Sequence, residues 1–145
     1  MDADLYAWSG QPVFITVRAY LDAAPFRDPD RCKMAVDLLL EEGARLDWRI
    51  VAYCLMPDHL HFIASPNRDG VSVLSFTERY KGKTTNQSWK LGWRGKLWQP
   101  RFYDHIVRSD ERLEQIVEYI LRNPERKGLV SPGGAWSWSG APGIL

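Results

Sequence analysis

The chain has 145 residues, 45% of them hydrophobic and 26% charged, with a formal net charge of +1. That length and balance suit one globular domain, 1–145, with a core of its own, and exclude a disordered, collagen-like or disulfide-stapled chain. No apolar run nears the ~18 residues of a membrane span, and the acidic start Met1-Asp2-Ala3-Asp4 lacks a signal-peptide core. Cys32 and Cys54 form no CxxC pair and read as reduced, buried thiols of a cytoplasmic protein. With so little net charge, any nucleic-acid footprint must be local. Seven Trp and six Tyr can fill a core or stack on bases, and composition does not choose between the two.

Pro12 to Tyr20 is β-branched and aromatic with partial alternation, which predicts a first strand. Asp28 and Pro29 suit the cap and first position of a helix whose apolar face runs from Met34 to Leu40 and ends near Gly43. Trp48 to Leu55 reads as a second strand, Met56-Pro57-Asp58 as a tight turn, and His59 to Ala64 as a third strand completing a hairpin. After a loop over Pro66–Gly70, Val71 to about Trp89 reads as a second helix. A fourth strand is expected within Leu97–Val107, near Tyr103–Val107. Ser109 suits a cap, and Leu113, Ile116, Val117, Ile120 and Leu121 make a helical stripe that Pro124 stops at about Asn123. From Ser131 the chain is rich in Gly, Pro, Ser and Trp and is expected to form an irregular strap, 131–145. The order β-α-β-β-α-β plus a last helix predicts an α+β fold, a ferredoxin-like split βαβ antiparallel sheet. Such folds host many functions.

His59 and His61, two apart on a strand, share one face, while Leu60 and Phe62 point to the core. Two imidazoles side by side can grip one metal ion, although two unrelated surface histidines would carry the same spacing. Tyr119 and Asn123 lie four apart on the last helix and so share a face. Spacing alone favours a helix-surface Tyr and a C-terminal Asn cap before Pro124. Arg79, Lys81, Lys83, Lys90, Arg94, Lys96 and Arg101 interleave with Tyr80, Trp89, Trp93 and Trp98. Phosphate contact and base stacking use such a mixture, and Arg79, Lys81, Lys83, Trp98 and Arg101 are the expected DNA contacts. The alternative is a solvated helix face over core aromatics. Gly82-Lys83-Thr84 mimics the end of a phosphate-binding loop, but Thr77 stands where its first glycine belongs.

Three strings of the chain together resemble one family. Leu55-Met56-Pro57-Asp58-His59-Leu60-His61 is similar to the HUH motif of single-tyrosine transposases. Leu97-Trp98-Gln99-Pro100-Arg101-Phe102-Tyr103-Asp104-His105 and Val117-Glu118-Tyr119-Ile120-Leu121-Arg122-Asn123-Pro124 resemble the REP-associated branch. The likeness runs from about Gly10 to Val130. It implies an HUH endonuclease domain in which His59 and His61 hold the metal, Tyr119 is the nucleophile and Asn123 the polar ligand. It also implies single-stranded DNA with a hairpin as substrate, cleaved to a 5′-phosphotyrosine and a free 3′-OH. The mixed nitrogen and oxygen donors admit Mg²⁺ or Mn²⁺. A tyrosine phosphoester conserves the bond energy for rejoining. Monomer and homodimer both occur among such proteins. Two rival readings are a non-catalytic nucleic-acid-binding module with the same fold, and a two-histidine-motif phosphodiesterase, for whose second motif only His105 remains.

Overall fold

The structure, a computed structural model, describes residues 11–68 and 70–144. The acidic start at 1–4, Gly10, Leu145 and Asp69 of the Pro66–Gly70 loop lie outside the described residues. The elements run β1 (Val13–Arg18), α1 (Pro29–Leu46), β2 (Trp48–Met56), β3 (His59–Pro66), α2 (Val73–Lys90), β4 (Tyr103–Ile106), α3 (Asp110–Leu121), α4 (Asn123–Arg126) and β5 (Ser139–Gly140). The strands form one antiparallel sheet in the order β4-β1-β3-β2-β5. Its first four places are those of the expected split βαβ.

The alternation read in β1 and β3 sorts residues onto the two faces. Val13, Ile15 and Val17 join Leu60, Phe62 and Ala64 beneath α1 and α2. Phe62 lies against Phe76 and Tyr80, with ring centroids 6.1 and 6.5 Å away. Burying one such ring contributes about 1.5–3 kcal/mol, so this face dominates the core. In β2 the pairing register shifts between Ile50 and Ala52, and the bulge swaps the parity. Trp48 and Ile50 before it, and Tyr53 and Leu55 after it, therefore all reach the α1/α2 side. Val51, Cys54, Met56 and Ile63 meet Ile116 and Ile120 of α3 on the other side.

The helix caps act as expected. Asp28 accepts from the Arg31 amide and Ser109 from that of Arg112, each at 3.1 Å, satisfying amides that the first turn leaves unpaired. Ser72 does the same for α2, so that helix opens at Val73 rather than Val71. Cys32 and Cys54 are free and buried, and burial pushes their thiols up to about 11 and about 12. Among the described residues no helix is long and apolar enough to cross a membrane.

Two expectations need correction. The last helix is not continuous to Asn123: α3 ends at Leu121, Arg122 adopts φ −90°, ψ 0°, and α4 restarts with Pro124 in its first turn. The proline removes a donor that a helix start does not need, so it opens a helix here rather than only ending one. The tail is also more than a strap, since Ser139 and Gly140 pair with Cys54 and Tyr53 as a fifth strand. The Leu55 amide donates to Trp138 at 2.8 Å and the Trp136 indole N–H to the Leu55 carbonyl at 2.9 Å. Gly143 packs so closely that a Cβ there would lie 2.7 Å from Val51 Cα. These contacts cover what would otherwise be an open sheet edge.

Candidate active site

The β2–β3 turn delivers His59 and His61 to the α3 side of the sheet. They are not two unrelated surface residues: α3 and α4 close over them, leaving 5% and 8% exposed. Their rings stand 4.6 Å apart, nearly perpendicular. Each Nδ1 is held by a neighbour. Asp58 Oδ1 lies 2.7 Å from His59 Nδ1, and Thr16 Oγ1 lies 2.8 Å from His61 Nδ1. Asp58 thus fixes the His59 tautomer with Nε2 unprotonated.

The Asn123 amide, 3% exposed, donates to that Nε2 at 3.2 Å. Tyr119, one turn earlier in the chain, is 51% exposed, with its ring centroid 6.3 Å from that of His61. The Arg126 guanidinium lies 4.0 Å over the Tyr119 ring, and its Nη2 donates to the Tyr119 carbonyl at 2.7 Å. The kink at Arg122 therefore leaves Tyr119 half-exposed and Asn123 buried while both face the histidines. Tyr119, Asn123, His59 and His61 line one cleft of about 370 Å³. Arg18, Arg27 and Lys127 also line it. These cations escaped the sequence reading, although the strand period of two from Phe14 and Thr16 to Arg18 was there to be followed.

Burial holds both imidazoles below their ordinary range. For His59 the Asp58 carboxylate pulls the other way without reversing the shift. His61 is pushed down to about 3, by burial first and then by His59, Arg18 and Arg126. Both are therefore neutral near pH 7, the state a metal ligand requires. An unfolded histidine takes up its proton near pH ~6.5. Below that the unfolded chain binds protons the folded chain refuses, so this stability is complete above about pH 6.5 and is lost as pH falls toward 3. The loss is up to about 1.4 kcal/mol per pH unit per depressed histidine. Denaturant midpoints between pH 7 and 4 should fall more steeply for the wild type than for His61→Gln, and parallel slopes would refute this linkage.

The donor set suits a hard or borderline divalent cation. His59 and His61 each direct Nδ1 to a protein partner, which leaves Nε2 for a ligand bond. Among the described residues no group of three or more His, Cys, Asp or Glu is placed to hold a metal. Asn123, whose amide lies against His59 Nε2, is the neighbouring side chain that would present an oxygen, Oδ1, to such an ion if its amide turned.

The expected DNA contacts divide. Trp98 is a core residue, 5% exposed, stacked near Phe26 and donating its indole N–H to Thr84 at 2.8 Å. It is not available to stack on a base, because its ring fills the α1/α2 side of the core. Lys81 is 8% exposed and donates to the Pro100 carbonyl at 3.1 Å. Lys83 is ion-paired with the buried Glu42 of α1. Arg79 is exposed on α2, across the sheet from the histidines, and Arg101 is exposed just before β4. Tyr80 is wholly buried, its hydroxyl donating to the Ala35 carbonyl at 2.8 Å, and burial raises its pKa, so it is not placed to act as a nucleophile or to stack on a base.

Comparison with known proteins bears on this arrangement. The model of a family described as "Transposase IS200 like" matches residues 30–123. The REP-associated tyrosine transposase of Escherichia coli K12 is 29% identical over 93 residues, covering 63% of this chain and 53% of that protein. A Haemophilus influenzae relative is 28% identical over 99 residues, covering 61% of this chain and 56% of its own. The chain thus spans about half the length of the curated relatives it matches. Among solved structures, a REP-associated tyrosine transposase bound to a REP hairpin superposes with a TM-score of 0.78 at 24% identity. That match covers 92% of this chain and 78% of the other, and shows a shared fold.

Proposed function

The chain belongs to the IS200-like transposase family, whose model matches residues 30–123, and from that premise we propose that it is a metal-dependent endonuclease and strand transferase for single-stranded DNA. The observation that carries the reading is the convergence of Tyr119, His59, His61 and Asn123 on one cleft. The β2–β3 hairpin supplies the two imidazoles and the α3–α4 kink supplies Tyr119 and Asn123, with Arg18, Arg27 and Lys127 beside Asp22 and Asp58 in the same lining.

In this reading the Tyr119 oxygen attacks a phosphodiester. Its bond to phosphorus forms as the bond to the 3′ oxygen breaks, leaving a 5′-phosphotyrosine and a 3′-OH. The phenol gives up its proton, and the departing oxygen takes one up. Reversal by a second 3′-OH joins strands. A bound Mg²⁺ or Mn²⁺ supplies Lewis-acid neutralisation of the phosphate and helps orient it. Asp58 and Thr16 hold the two imidazoles in ligand-ready orientation. Arg18, Arg27 and Lys127 supply the positive field that draws the strand backbone into the cleft. All four site residues meet within a single chain, which is compatible with cleavage in cis by a monomer or by each subunit of a homodimer. The hairpin in the solved relative supports a hairpin-bearing repeat as substrate.

The test is incubation with hairpin oligonucleotides copied from repeats beside the gene, with Mg²⁺ or Mn²⁺, on a denaturing gel. A metal-dependent covalent protein–DNA band is expected, and binding without that band favours a non-catalytic module. Asp58→Asn removes the carboxylate that orients His59. The apparent metal affinity in this assay should then fall roughly 10–100-fold. An unchanged metal titration would deny Asp58 that role.

A further inference from the structure

Tyr119 divides two clefts. On one side is the basic cleft described above. On the other, between α3 and the β1–β4 edge, lies a second cleft of about 500 Å³ that shares Tyr119 and His61 with it. Its walls differ in chemistry. Phe14 forms the floor, with His105 set edge-on at 5.2 Å and His61 tilted at 5.5 Å. Tyr103 stands at the mouth, 68% exposed. Arg112 and Gln115 line the helix side, and with Tyr119 they fall at i, i+3 and i+7, one stripe of α3.

A phosphate would find one cation here and mainly apolar or aromatic walls, whereas the opposite cleft offers it Arg18, Arg27 and Lys127, set beside Asp22 and Asp58. A nucleobase finds faces to stack on, an amide that can both donate and accept, and a guanidinium that can donate. The base next to an attacked phosphate is one sugar away from it, and this cleft opens directly beside the Tyr119 ring.

We propose that the cleft of Phe14, Tyr103 and His105 holds the nucleobase adjoining the scissile phosphate, with Gln115 and Arg112 reading its edge. This makes it a specificity subsite, and it rests on the reading of Tyr119 as the residue that attacks DNA. The Tyr103 and His105 rings cover the two sides of the base, and the Gln115 amide selects by hydrogen bonding.

The experiment steps one abasic residue through the single-stranded positions of the hairpin oligonucleotides. It reads noncovalent binding to Tyr119→Phe and covalent adduct with the wild-type tyrosine. One position flanking the cut should carry a binding penalty of roughly five- to hundredfold, the range for loss of one stacked base. Adding Tyr103→Ala and His105→Ala should reduce that penalty to below about twofold. Gln115→Ala, on an exposed helix position, should flatten the preference among the four bases there. A penalty and a preference unchanged in these variants, with adducts still forming, overturn the subsite and leave the Tyr119 chemistry standing. A penalty that follows Tyr103 and His105 without any adduct overturns the Tyr119 chemistry and with it the subsite beside a scissile phosphate, leaving a base-binding cleft alone.

Discussion

Tyr119→Phe is expected to abolish both strand cleavage and the covalent protein–DNA adduct, with a fall of at least a thousandfold in order of magnitude, as for removal of other covalent nucleophiles. The substitution deletes one oxygen and keeps the ring that lies under Arg126 and faces His61. Tyr119 is half-exposed, and among the described residues its hydroxyl makes no side-chain hydrogen bond, so stability should change by less than about 0.5 kcal/mol. DNA binding should persist, because the cations lining the cleft are untouched. Tyr80→Phe and Tyr103→Phe should still form adducts. Residual cleavage by Tyr119→Phe through attack by water would show that the cleft activates a different nucleophile.

His59→Ala should have the next largest effect. It removes one proposed metal donor and leaves Asp58 and the Asn123 amide without their partner. Cleavage in Mg²⁺ or Mn²⁺ should fall on the order of a hundredfold or more, beyond the 10–100-fold of a supporting residue. Because His59 is buried, the variant should also lose about 1–3 kcal/mol from an unsatisfied partner. His59→Gln restores a polar side chain, and separates the two effects: it should recover stability more than cleavage. If chelator leaves wild-type cleavage unchanged, and His59→Ala cleaves at the wild-type rate, the metal role of this histidine pair falls.

How much of this was legible in the sequence depended on the range of the interaction. The shared face of His59 and His61 follows from strand geometry, and the caps at Asp28 and Ser109 from local hydrogen bonding. The depth at which the histidines lie does not, because α3 and α4 bury them from the far end of the chain. Pro124 marked a helix boundary correctly in kind, but nothing local distinguishes a stop from a restart. β5 carries no strand signal of its own. Ser139 and Gly140 pair because β2 offers an edge, and Gly140 and Gly143 let the backbone come close. Trp98 is ambiguous for a related reason: an indole between basic residues reads the same whether it faces DNA or, as here, Phe26 and Tyr80. Arg18, Arg27 and Lys127 gather only when β1, the turn before α1 and the end of α4 meet.

The site of covalent attachment decides most directly whether Tyr119 is the attacking residue. Adducts formed with the wild-type chain and a labelled hairpin oligonucleotide can be digested and the DNA-bearing peptide sequenced by mass spectrometry. The label is predicted on Tyr119 alone, joined through the 5′ phosphate of the cut strand. A label on Tyr103, Tyr80 or any other residue, or cleavage that never passes through a covalent species, would contradict it.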